Sequence, residues 1–223
     1  MPRSSRPIPS DGCLHVMCRG NNRQFIFNSE DDFRYYYELL RDLREENHID
    51  IYHYCLMSNH LHMIVSLYED STLSKYMKQV NLGFFNYFKK QYDYSGHLWQ
   101  GRYKSCIIEK NNYLLQCGKY IEMNPVRAGI VESPDQYKYS SFKYYSMGNS
   151  DKLVTENPLF HEFGSSLKRR REMYIDFVLP EFIKTRLGME RFVGTDEFIR
   201  KHEVRFQLKN TRLKRGRPRK DDK

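Results

Sequence analysis

Two strand-like runs joined by only two residues constrain this chain more than any other feature. Ile51–Met57 and His60–Leu67 are separated by Ser58-Asn59 alone, and so short a connection makes them an antiparallel hairpin. The elements around the hairpin then fall into an order. Gly12–Cys18 reads as a buried strand that ends in a basic turn, Arg19-Gly20-Asn21-Asn22-Arg23. Ser29 is placed to cap a helix running to about Glu46, with Phe33, Tyr36, Tyr37, Leu40 and Leu43 on one face. Leu73–Lys90 is a long amphipathic helix and Tyr103–Ile108 a fourth strand. Asn111 or Asn112 can cap a last helix that Asn124-Pro125 stops near Met123. Strand, helix, strand, strand, helix, strand, helix predicts an α+β domain. Its plan is the ferredoxin-like split βαβ: an antiparallel sheet with helices packed on one face.

Past Val131 the pattern thins. Met147-Gly148-Asn149-Ser150 reads as a linker, and Ser166–Phe182 and Thr195–Phe206 as short helices. The expected organisation is a main domain over residues 1–147, a helical C-terminal extension over 148–208 and a basic tail over 209–223. Of the net charge of +9, ten basic and three acidic residues between Lys201 and Lys223 supply +7, which leaves +2 for the other 200 residues. The charge excess therefore belongs mainly to the tail and does not by itself make the folded part a nucleic-acid binder. Within the fold, Lys75 to Lys104 carries six basic residues and one acid, interleaved with Tyr76, Phe84, Phe85, Tyr87, Phe88, Tyr92, Tyr94 and Trp99. That mixture suits single-stranded nucleic acid, where bases stack and phosphates need cations; it equally suits a core helix with a charged solvent face. Mean hydropathy of −0.78 and the lack of a long apolar run predict a soluble, cytoplasmic protein with no membrane span. The basic start, followed by Ile8-Pro9-Ser10, does not read as a secretory signal. Five scattered cysteines without a CxxC pair are expected as reduced core thiols.

Two groups of residues can carry chemistry. In His60-Leu61-His62 the two imidazoles project from the same strand face and can converge on a metal ion, although two polar histidines on a solvated face give the same pattern. On the last helix Leu114, Cys117, Gly118 and Ile121 form a core stripe. Beside it Tyr113, Gln116, Tyr120 and Asn124 form a polar one. Tyr120 can be a nucleophile on the shoulder of the helix or an ordinary core-edge tyrosine. Asn124 can be an oxygen ligand or a helix C-cap before proline. A tyrosine nucleophile suits a phosphodiester because phenolate also leaves readily, which keeps a covalent intermediate reversible.

His60-Leu61-His62 after Met57-Ser58-Asn59, followed by Tyr120-Ile121 and Asn124-Pro125, resembles the single-tyrosine HUH transposases, and most nearly the REP-associated tyrosine transposases of bacteria. His15-Val16, Arg19-Gly20-Asn21, Leu98-Trp99-Gln100-Gly101-Arg102-Tyr103, Asn124-Pro125-Val126-Arg127-Ala128-Gly129 and Tyr139-Ser140-Ser141-Phe142 fit the same group. The resemblance spans roughly residues 10–145. It implies magnesium or manganese held by His60, His62 and Asn124, with Gln116 as the second candidate for the third ligand, and attack by Tyr120 on single-stranded, hairpin-forming DNA. The product would be a 5′-phosphotyrosine and a free 3′-OH. Arg19, Asn21, Arg23, Arg102 and Lys104 are the expected DNA contacts. In the tail Arg215, Arg217 and Arg219 surround a Gly-Arg-Pro core like that of an AT-hook, which would prefer A·T-rich duplex; a generic basic tail would not. The other function class in play is a DNA-binding regulator that keeps the fold without catalysis. Nucleoid association follows from either, and a monomer is the favoured oligomeric state.

Overall fold

The computed structural model describes residues 7–179 and 190–210. Five strands form one sheet in the order β2-β3-β1-β4-β5. They are β1 (Gly12–Arg19), β2 (Ile49–Met57), β3 (His60–Leu67), β4 (Lys104–Ile108) and β5 (Phe192–Val193). β2 and β3 are the expected hairpin, with Met57 opposite His60. β3 and β4 both run antiparallel to β1. With α1 (Glu30–Glu46) and α2 (Leu73–Tyr92) as the crossovers, these four strands are the split βαβ plan read from the sequence.

α1 begins where Ser29 predicts. Ser29 accepts from the Asp32 amide while the Asp32 carboxylate accepts from the Ser29 amide, a closed capping box. Asp32 is buried, and the hydroxyls of Tyr87 and Tyr92 at the far end of α2 also donate to it, at 2.9 and 2.7 Å. One carboxylate thus caps α1 and ties the two helices together.

β1 alternates in pointing Leu14, Val16 and Cys18 to one face and Cys13, His15 and Met17 to the other. Both faces are covered, which departs from the expected helices on one face. α1 and α2 bury Leu14, Val16, Leu61, Met63 and Val65 in the main core. α3 (Asn112–Glu122) closes the opposite face over Cys13, Tyr52, Cys55 and Ile64. The reason is that Cys13, Tyr52, Cys55, Ile64 and Ile108, drawn from four strands, make a second apolar patch on that face, and such a patch needs its own cover. A register shift between Ile51 and His53 of β2 changes which residues face α3 beyond that point.

β5 was not foreseen. It pairs parallel to β4 through Ile107↔Phe192 and Ile108↔Val193, and α7 (Asp196–Phe206) follows it. Between them lie α4 (Asn124–Arg127), α5 (Phe142–Met147) and α6 (Leu167–Val178). Residues beyond 148 share the main core: Leu153, Val154, Phe160, Tyr174, Val178 and Phe192 all belong to it. All five cysteines are buried and outside any disulfide, as expected, and burial pushes the thiol of Cys13 up to about 11. Among the described residues no helix is long and apolar enough to cross a membrane.

Candidate active site

β3 delivers His60 and His62 to the face covered by α3. There His62 stands opposite Met17 and His60 opposite Arg19 on β1. A third histidine joins them. His15 Nε2 and His62 Nδ1 lie 2.8 Å apart in a buried hydrogen bond, with the two rings stacked at 5.0 Å between centroids. The His60 and His62 rings meet edge to face at 5.1 Å. His60 Nδ1 donates to the Asn59 side-chain oxygen. If His62 Nδ1 likewise donates to His15, both members of the pair keep an unprotonated Nε2.

Burial keeps these rings neutral. It lowers His15 to about 4. It lowers His60 to about 4 as well, with help from the Arg19 cation. His62 is pushed well down, by burial first and then by His15, His60, Arg19 and Arg127. A stability consequence follows. An unfolded imidazole takes up a proton near pH 6.5, whereas folded His15 does so only near 4, so between those values the unfolded chain holds more protons. Stability is then constant above about pH 7 and falls as pH drops from about 6.5 towards 4, by on the order of 3 kcal/mol for His15 alone. Melting temperatures recorded from pH 7.5 to 4 should show the decline, and His15→Gln should flatten it; an identical slope in the variant would contradict the assignment.

α3 brings Tyr120 over this cluster. Its ring centroid lies 6.1 Å from that of His62 and 6.3 Å from that of His15. The residue is 9% exposed, more enclosed than a helix-shoulder position suggests, because His15, His62 and Arg127 pack around its ring. The close approach depends on Gly118: a Cβ there would stand 2.8 Å from the His53 ring. His53 cannot give way, since it stacks on Tyr145 and donates to Glu122, while Asn157 donates to its other nitrogen. Glu122, two residues past Tyr120, also accepts from Ser141 and Tyr174 at 2.6 Å each.

Arg127 is the residue that the sequence motif contained but residue chemistry did not single out. Its guanidinium lies 4.4 Å from the centre of the Tyr120 ring. Its Nη1 is buried without a hydrogen-bond partner among the described residues. Arg127 is seven residues beyond Tyr120, two helical turns, which returns it to the same side even though Pro125 restarts the helix. His15 was legible only through strand register. Asn124 uses its Nδ2 to donate to the Tyr120 and Ile121 carbonyls at 3.0 and 3.2 Å, so it caps α3 and has its oxygen left for another partner. Gln116, the second candidate ligand, lines a small cavity with Phe163 and Phe177 instead.

The expected DNA contacts gather around one end of the sheet. Arg19 ends β1 and Gly20 pairs with Trp99. The Asn21 amide donates to the Leu98 carbonyl, and the Arg23 carbonyl accepts from Asn59. Gly20 is required there, because a Cβ would meet the Gln24 carbonyl oxygen at 2.3 Å. Arg102 and Lys104 are exposed, and Lys104 stands opposite Met17 on the histidine face. Arg215, Arg217 and Arg219 lie outside the described residues.

A ferredoxin-like sheet with a His-hydrophobe-His strand and one tyrosine helix over the same face defines the class of single-tyrosine DNA transposases and endonucleases. Within that class the chain belongs to the family described as "Transposase IS200 like", whose model matches residues 10–124. A REP-associated tyrosine transposase, solved bound to a REP hairpin, has the same fold at a TM-score of 0.58. The two are 17% identical, over 70% of this chain and 92% of that one. A candidate transposase from Deinococcus radiodurans is 16% identical with a TM-score of 0.38, over 54% of this chain and 96% of that one. A tRNA(His) guanylyltransferase from Saccharomyces cerevisiae is 10% identical with a TM-score of 0.41, over 82% and 84% of the two chains. The curated proteins give no match.

Proposed function

We propose that this transposase cuts and rejoins single-stranded DNA beside a hairpin, with Tyr120 as nucleophile. The observation that carries the proposal is the packing of one tyrosine against His62, His15 and Arg127 at the same spot. The Tyr120 oxygen forms a bond to the scissile phosphorus and the P–O3′ bond breaks. A 5′-phosphotyrosine and a free 3′-OH result, the leaving oxygen taking up a proton. In the reverse sense a 3′-OH attacks the phosphotyrosine and releases the phenol. Arg127 offers its unpartnered Nη1 to a non-bridging phosphate oxygen. The structural neighbour solved as a REP-hairpin complex supports a hairpin substrate for this chain.

Neutral His60 and His62 suit a divalent cation, with His15 steadying the His62 ring. Among the described residues no group of three His, Cys, Asp or Glu side chains is arranged around a metal. The remaining positions would fall to the Asn124 oxygen, water and the phosphate itself. When bound there, magnesium or manganese would offset charge on the phosphate in the transition state.

Incubation with magnesium or manganese and labelled hairpin DNA from sequence flanking its own gene should give a covalent band on a denaturing gel. EDTA and His62→Ala should each remove the band. Tight hairpin binding with no band under either metal would reject the proposal and favour a non-catalytic regulator. The C-terminal Gly-Arg-Pro segment adds a separate expectation of A·T-rich duplex affinity, and chromosome association would follow from it.

A further inference from the structure

A second site lies on the other side of the sheet end from the histidines. α2 and the loop 96–103 enclose a groove of about 650 Å³, within the usual range for ligand clefts of about 300–1,000 Å³. Ser74, Lys78, Leu82 and Phe85 line it from α2. These residues recur at helical spacing beside the stripe of Tyr76, Val80, Phe84 and Phe88 that enters the core. The loop contributes Trp99 and Arg102. No acidic residue lines the groove, and Lys78 makes no ion pair among the described residues. Leu82 is half-exposed at its mouth.

The aromatic wall is fixed. Trp99 donates from Nε1 to the Asn81 carbonyl at 3.1 Å, and Tyr103 and Ser74 hydroxyls bond at 3.0 Å. A preset indole beside two cations is the combination that stacks a base and holds its phosphates. The groove is also joined to the active site. Trp99 pairs with Gly20, and the Gln100 amide donates to the Arg19 carbonyl at 2.9 Å. Arg19 stands opposite His60. Lys104, the residue after Tyr103, faces the histidine side. A strand leaving the histidines therefore has only to round the ends of β1 and β4 to reach the groove.

We infer that this groove docks unpaired bases of the DNA strand that flanks the cleavage point, through stacking on Trp99 and Phe85 and phosphate contacts to Lys78 and Arg102. The inference rests on the proposed DNA substrate but on neither the metal nor Tyr120. Trp99 is the sole tryptophan, so its emission reports occupancy directly.

The test titrates the full chain carrying Tyr120→Phe, in EDTA, with single-stranded hexathymidylate and separately with a blunt hairpin. Hexathymidylate should quench Trp99 saturably, more weakly at higher salt, and the blunt hairpin should not. Lys78→Glu, at an exposed position, should weaken the quench-derived affinity by about tenfold, and Phe85→Ala by a similar factor. Hexathymidylate bound by anisotropy with Trp99 emission unchanged would overturn the inference, as would unaltered affinity in Lys78→Glu. Emission that shifts with protein concentration alone would give the groove to a second copy of the chain and equally overturn it. Covalent cleavage in the wild type without Trp99 quenching would sink the groove alone. Quenching without cleavage would sink only the proposed chemistry.

Discussion

Tyr120→Phe should reduce cleavage and rejoining of hairpin DNA by at least about 10³-fold, with no covalent adduct formed. The substitution removes one oxygen and leaves the ring. The contacts of that ring with His15, His62 and the Arg127 guanidinium are all made by its carbons or its π face. Phenylalanine should keep them, so stability is expected to change by less than about 1 kcal/mol. Hairpin affinity, which we assign to Arg19, Lys104 and their neighbours, should also hold. A variant that loses DNA binding along with cleavage would place Tyr120 in substrate recognition instead. Arg127→Ala makes the complementary case, because it strips the ring contact and the proposed phosphate contact while the Tyr120 hydroxyl stays.

Glu122→Ala should be the most damaging single change to stability, costing about 3–5 kcal/mol. Glu122 has no exposed surface, and three donors converge on it: His53 Nδ1 at 3.0 Å, and the Ser141 and Tyr174 hydroxyls at 2.6 Å. Alanine leaves His53 Nδ1 and the Tyr174 hydroxyl facing a cavity without an acceptor and Ser141 with only the Tyr54 carbonyl at 3.4 Å, and each such loss is expensive in a dry interior. Those donors come from β2, from the segment before α5 and from α6. The carboxylate therefore pins α3 to the sheet and to the extension at once. Because it lies two residues from Tyr120, activity should fall with stability. Glu122→Gln keeps the shape but has one oxygen for three donors, and should cost about 1–3 kcal/mol. Chemical denaturation of both variants checks the ordering, and a loss below about 1 kcal/mol for Glu122→Ala would refute the strut.

The sequence made the local elements legible and left their long-range meetings hidden. Ser29 and Asp32 mark the start of α1 because capping is written within four residues. The β2–β3 hairpin is legible because its turn is two residues long. β5 is not, since two residues carry no period, and its partner β4 lies more than eighty positions away. The placement of α3 on the second sheet face follows from Cys13, Tyr52, Cys55, Ile64 and Ile108 gathered there from four strands, an apolar patch that no single strand displays. His60, His62 and Tyr120 could be named from spacing and motif. The pairing of His15 with His62 required the β1–β3 register, and Arg127 required knowing that α4 restarts after Pro125 on the Tyr120 side. Gln116 was misplaced because a stripe on a helix does not say which neighbour covers it; here that neighbour is the Phe163 and Phe177 pair.

In the proposed reaction one tyrosine carries the DNA. The direct measurement is to trap the adduct with labelled hairpin DNA, digest it with protease and nuclease, and locate the nucleotide-bearing peptide by mass spectrometry. The account predicts a single modified residue, Tyr120, joined to a 5′-phosphate. A nucleotide on any of the other seventeen tyrosines, or cleavage that proceeds with no modified peptide, would contradict it.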